Sequence, residues 1–149
     1  MSYGATLSRR RLRTWIRLLR ITRSTENRLR EFLRVNFDTT LPRFDVAAAL
    51  YRNGKPMKMS DLSQRLLVSN GNATAVVDRL ERDALARRLP SDDDKRVVLV
   101  ALTDRGRAWF EELAAAHERE VNAIFAALGS DELDTIRTLM RQLEGKGDD

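Results

Sequence analysis

"SNGNATAVVDRL", Ser69 to Leu80, decides how the chain is read. It opens on residue types that cap helices and continues with apolar positions three and four apart, the spacing of one helical face. At about 100° per residue, Ala73, Val76, Val77 and Leu80 fall on one side, the core side. Opposite them stand Gly71, Ala75, Asp78 and Arg82, flanked by Asn70, Asn72, Thr74 and Arg79. A face meant for water has no reason to stay this small in its first two turns. A face meant to enter a groove does, because short side chains let the backbone approach base edges. There asparagine amides can pair with adenine, and a threonine methyl can meet a thymine methyl. Ser69 can cap the first turn, whose free N–H groups are also a natural seat for a phosphate.

The neighbouring segments give that helix a setting. Before it, "KPMKMSDLSQRLLV" carries Pro56, then Ser60 as the expected cap of a short helix with Leu62, Leu66 and Leu67 inward, leading to a tight turn around Val68 and Ser69. After it, "LARRLPSDDDKRVVLVALT" holds two β-prone runs, Leu85 to Leu89 and Val97 to Leu102, around a charged turn: a β-hairpin. Short helix, turn, helix and charged hairpin is the order of a winged helix-turn-helix, in which the second helix reads the major groove and the hairpin straddles the backbone. The competing reading is a winged-helix protein-interaction module without sequence-specific DNA binding. In the hairpin, Lys95 and Arg96 follow three aspartates. Consecutive aspartates in a turn point in different directions and do not close an octahedral shell, so no metal is expected. Asp94 is instead expected to orient Arg96 so that its guanidinium can enter a narrow minor groove.

Helices flank this unit on both sides. "LRTWIRLLRITRSTENRLREFLRVNF" places Leu12, Trp15, Ile16, Leu19, Leu29, Phe32 and Leu33 on helical spacing, one long amphipathic helix. "TTLPRFDVAAALYRNG" reads as a second helix, capped by Thr39 or Thr40, with Pro42 in its first turn and Gly54 as its stop. Beyond the hairpin, Thr103 caps a fifth helix of about seven turns that Gly129 ends, and a sixth starts at Ser130 with Leu133, Ile136, Leu139, Met140 and Leu143 along it. The "GKGDD" end is expected to fray. The first, fifth and sixth helices lack an obvious partner in a compact reading unit, so a second copy is expected to cover their apolar faces. The expected fold is mainly α with a small β-hairpin.

Composition closes off other classes. At 149 residues and 42% hydrophobic, the chain is one domain with enough apolar matter for a core. It has no cysteine and one histidine, His117, which leaves no disulfide, thiol sensor, Cys/His nucleophile or zinc cluster. No general-base pair or partnered nucleophile is visible, so neither an enzyme nor a cofactor is expected. No apolar run approaches the roughly 18 residues of a membrane span, and a cytoplasmic protein is expected. The net charge of +5 conceals a division: residues 1–35 hold ten arginines against Glu26 and Glu31, whereas residues 104–149 hold eleven acids against six bases. The basic start calls for an anion, which could be nucleic acid, a phosphorylated small molecule or the acidic C-terminal segment of this or another copy.

Leu62 to Phe110, "LSQRLLVSNGNATAVVDRLERDALARRLPSDDDKRVVLVALTDRGRAWF", closely resembles the MarR family (multiple antibiotic resistance regulators), including the "DKR" wing tip and the "LT" and Gly that lead into the fifth helix. With "TLPRFDV" and the flanking helices the resemblance spans nearly the whole chain. It implies a single domain, 1–149, with a DNA-binding winged helix at 39–103 and dimerisation helices at 1–38 and 104–144. It implies a homodimer that reads a pseudo-palindromic operator in double-stranded DNA near its own promoter, usually as a repressor released by a small ligand. On that pattern Asn70, Asn72 and Thr74 would lie in the major groove and Arg96 in the minor groove, with Ser69, Gly71, Ala75, Arg79 and Lys95 completing the DNA-facing set. One departure stands out: the family usually has glycine where this chain has Ala84, and a left-handed backbone there would cost an alanine about 1 kcal/mol. "FDTTLPRFDV" together with "VSNGNATAVVDRLE" is similar to members that control breakdown of plant-derived aromatic acids and respond to hydroxycinnamoyl-CoA thioesters. The arginines of the first helix could hold coenzyme A phosphates, contact DNA or pair with the partner's acidic helices. Trp15, Arg20, Tyr51 and His117 are the candidate ligand residues, each with an ordinary core or interface role as the competing reading.

Overall fold

The computed structural model describes residues 4, 6–66 and 70–145, with the side chains of residues 70 and 71 outside that set. The expected cap Ser69, the inward Leu67, the turn residue Val68 and the tail beyond Gly145 lie outside the described residues. The chain runs α1 (Leu7–Phe37), α2 (Leu41–Asn53), β1 (Met57–Lys58), α3 (Met59–Arg65), α4 (Asn70–Arg82), β2 (Ala86–Pro90), β3 (Val98–Leu102), α5 (Asp104–Ile124) and α6 (Ser130–Glu144). It is mainly α with a small antiparallel sheet. No helix among the described residues is long and apolar enough to cross a membrane.

Local chemistry sets most boundaries. The Thr6 hydroxyl accepts from Arg9 N–H at the start of α1, and the Thr40 hydroxyl accepts from Arg43 N–H at the start of α2, where Pro42 sits in the first turn. Gly54 ends α2 in the left-handed conformation, φ 73°. Thr103 caps α5 as the sequence indicates, its hydroxyl accepting from Gly106 N–H.

Three boundaries differ from the sequence reading. The hairpin belongs to a three-stranded sheet of order β1-β3-β2, because Met57 and Lys58 pair with Val100 and Leu99. That pairing carries the chain into α3 at once, so the helix starts after Lys58 without a side-chain cap, and Ser60 lies inside it rather than capping it. The fifth helix stops at Ile124, where Phe125 N–H turns back to Val121 and Leu128 N–H to Phe125; Gly129 is the N-cap of α6, not the end of α5.

α2 is the axle of the fold. Every residue from Val46 to Leu50 is buried, which a helix shows when it is covered on more than one side. Val46, Ala49 and Leu50 join Leu62, Val77, Leu80, Leu85 and Val100 in the core of the winged unit, while Phe44, Ala47 and Ala48 join Leu33, Phe110 and Leu113 in a second core under α1 and α5. Leu102 and Trp109 touch both. α5 therefore has partners within the chain, contrary to the sequence expectation. Among the described residues, the first half of α1 and the whole of α6 contribute no buried residue, and Leu12, Trp15, Ile16, Leu133, Leu139 and Met140 are all exposed.

Candidate nucleic-acid interface

α4 sits as its periodicity indicates. Ala73, Val77 and Leu80 are fully buried, while Asn72, Thr74, Ala75, Asp78, Arg79 and Arg82 are exposed. Asn70 and Gly71 form the first turn. The outward face is thus short at its start and charged further along. Arg79 is held along the helix by Asp83, Nε to Oδ2 3.1 Å.

The helix ends in a built joint. Leu85 N–H bonds to Leu80 C=O at 2.8 Å and Ala84 N–H to Glu81 C=O at 3.0 Å, the two bonds of a Schellman motif, with Ala84 at the left-handed position, φ 59°. Ala84 does not continue the helix. Thr103 ties the joint to α5: its hydroxyl donates to Ala84 C=O at 2.7 Å, and its N–H donates to Leu85 C=O at 3.1 Å. Gly106 lies directly against that turn, where a Cβ would fall 1.8 Å from the Leu85 oxygen. The end of α4 and the start of α5 are therefore tied into one joint.

At the wing tip the contact expected between Asp94 and Arg96 is present. Asp94 accepts from Arg96 N–H at 3.0 Å and from Arg96 Nε at 3.2 Å, while the Arg96 side chain stays 92% exposed. Those bonds, with the Lys58 charge nearby, hold the Asp94 carboxyl below the usual carboxylate range. The aspartate stays ionised and fixes a cation that projects into solvent. Lys95 is exposed beside it. Among the described residues no His, Cys, Asp and Glu cluster is placed to hold a metal ion.

The candidate ligand residues do not come together. Tyr51 and His117 share one aromatic group: Tyr51 lies 4.9 Å from Phe110, Phe110 lies 5.5 Å from Phe44, and His117 stacks on Phe44 at 4.1 Å. Tyr51 also donates to Glu111 Oε1 at 2.9 Å. Burial pushes the His117 imidazole below its ordinary pKa. Trp15 and Arg20 are exposed on the free half of α1. Arg28 of α1 pairs with Glu120 of α5 at 2.8 Å, and Trp15, thirteen residues earlier, is roughly 20 Å further along the helix. The cavity that adjoins α4 is a different one, about 520 Å³, between α1, α2 and α4. Glu26, Arg30, Asp45 and Val46 line one side, and Asn72, Ala75 and Val76 the other. Sequence spacing could not assemble it, because three separate elements contribute its walls.

Comparison with known proteins points one way. A model described as MarR family matches residues 37–97. The HTH-type transcriptional regulator YkoM of Bacillus subtilis (strain 168), itself uncharacterized, is 32% identical over 118 residues, 79% of this chain and 75% of that one. PecS of Dickeya dadantii is 31% identical over 68% of this chain and 62% of its own length. Among solved structures, a mutant of MarR from E. coli complexed with operator DNA superposes with a TM-score of 0.77 at 26% identity, over 93% of this chain and 99% of that one.

Proposed function

The chain belongs to the MarR family of transcription regulators, and on that premise we propose that it is a homodimeric repressor whose α4 reads a pseudo-palindromic operator. Asn70, Asn72 and Thr74 face base edges in the major groove, with Ser69, Gly71, Ala75 and Arg79 along the same contact. Arg96 enters the minor groove and Lys95 meets the backbone. The carrying observation is the pairing of a small outward face on α4 with a guanidinium held at the wing tip by Asp94. Residues 39–103 form the DNA-binding region, and residues 1–38 and 104–144 supply the dimer helices, whose exposed apolar residues support that division. The operator complex of the E. coli relative supports the same mode of binding.

Release is by a small aromatic acid or its coenzyme A thioester. A cavity of about 520 Å³ is of drug-like size, and because α4 forms one wall, an occupant there bears directly on the reading helix. Arg9, Arg10, Arg13, Arg17, Arg20 and Arg23 make no side-chain ion pair among the described residues and are available to phosphates.

The test is a gel-shift series on an operator fragment and a random duplex. Operator affinity should fall steeply with salt as counterions are released, and Asn72→Ala or Thr74→Ala should cost about 1–3 kcal/mol of discrimination. Equal loss on both duplexes removes base reading by α4, and no salt-sensitive shift leaves a protein-interaction module. Titrating aromatic acids and their thioesters into the complex then assigns the effector; release by free acids alone removes the thioester.

A further inference from the structure

The DNA-facing side of α4 carries a liability. Asp78 lies one turn beyond Thr74 and Ala75 on the outward face, and Glu81 follows it. A duplex presents one negative charge per about 1.7 Å, so two bare carboxylates on this helix would oppose the approach that Asn72 and Thr74 require. One residue of the wing answers both. Arg88, on β2, bonds Asp78 Oδ1 at 2.6 Å through one terminal nitrogen and Glu81 Oε1 at 3.0 Å through the other, while its backbone N–H bonds Glu81 Oε2 at 2.9 Å. Its side chain is more enclosed than either acid, 27% exposed against 52% and 42%. Nothing in the DNA-contact set includes it.

We propose that Arg88 is a positioning residue for base reading: it fixes the angle between the wing and α4 and, bonding both carboxylates, offsets one of their two charges, without touching DNA itself. Its fork holds residues 78 and 81, almost a full turn apart on α4, against one position of β2, which pairs there with Val100 of β3. Arg96 lies beyond Pro90 and Val98, roughly 10–15 Å along the strands, so a small rotation of β2 on α4 moves the minor-groove guanidinium by a contact distance. Lysine cannot replace the fork, because an ammonium lacks the planar pair of donors.

The inference rests on α4 being the reading helix, and the experiment separates the two. Dissociation constants for operator and random duplex are measured at one salt concentration for the full-length protein, for Arg88→Ala, for Arg88→Lys and for the triple variant Arg88→Ala/Asp78→Asn/Glu81→Gln, with melting temperatures alongside. Arg88→Ala should weaken both duplexes and lower the operator-to-random ratio at least tenfold. The triple variant leaves no bare carboxylate, so it should regain random-duplex affinity and a native melting transition while its ratio stays low. Arg88→Lys should behave like the triple variant, and these two carry the test if Arg88→Ala fails to fold. Full discrimination in any of the three overturns the positioning role. A wild-type protein with no operator preference overturns the reading of α4 and the inference with it.

Discussion

At the scale of single residues, two side chains sit where their own chemistry is at odds with the fold. Ala84 holds φ 59° at the end of α4 because two hydrogen bonds of the Schellman turn and the Thr103 hydroxyl on its carbonyl require it. Glycine adopts that backbone without the Cβ clash, although its freer unfolded chain offsets part of the gain. Ala84→Gly should therefore raise stability by about 0.5–1 kcal/mol, a melting-temperature increase of roughly 1–3 °C at fixed protein concentration. A melt that stays the same or falls would show that the joint tolerates alanine without strain. His117 is the second case. Burial against Phe44 favours its neutral form and depresses its pKa, so the unfolded chain takes up a proton that the folded chain resists. The stability this histidine permits is fully present above the ordinary imidazole range and is lost as pH falls through the folded value. Lowering the pH from 7.5 to 5.5 should lower the melting temperature, and His117→Phe should remove much of that slope; an unchanged slope would place its origin in other groups.

Between elements, the decisive contacts are backbone contacts. α5 begins where α4 ends because Thr103 satisfies both Gly106 N–H and Ala84 C=O, and because position 106 has no side chain to push them apart. Gly106→Ala would set a Cβ 1.8 Å from the Leu85 oxygen, which no rotamer can relieve, since backbone lies on both sides. It should cost more than about 3 kcal/mol in a denaturant melt, against about 1–2 kcal/mol for Thr103→Val, which removes only the cap and one donor. A mild effect at Gly106 would mean that the two helices can separate. How much of this could be read from the sequence follows the same division. The presence and order of the six helices, the Thr40 and Thr103 caps, the Gly54 stop and the buried face of α4 are local and periodic, and they stand as read, whereas the start of α3 and the end of α5 do not. β1 was not readable: two residues carry no period, and their place depends on pairing with a strand far along the chain. Ser60 misled because that pairing, not a side-chain cap, starts α3. The Arg88 fork and the cavity beside α4 escaped for the same reason, each being assembled from separate elements, whereas the Asp94 to Arg96 bond spans two residues and was visible.

For the whole molecule, the question is what covers its two free faces. Leu7, Leu12, Trp15, Ile16, Leu18 and Ile21 are exposed on α1, and Leu133, Ile136, Leu139, Met140 and Leu143 on α6, large apolar side chains of the kind that mark an interaction surface when they cluster. The charges on the two helices are opposite in kind: α1 carries arginines and no acid before Glu26, while α6 opens with Asp131 and Glu132. A second copy would offer each face the other's complement, and in the proposed dimer its twofold symmetry would set two α4 helices facing one palindrome. Ile136→Glu/Leu139→Glu should therefore yield a monomer by sedimentation. α6 buries nothing within the chain and its substitution leaves both cores intact, so the far-ultraviolet spectrum should stay helical. Operator affinity should drop more than 100-fold, because each half-site is then bound without the high effective concentration that the first contact confers on the second. A variant that remains a dimer in solution would move the interface off α6 and onto α1 and α5.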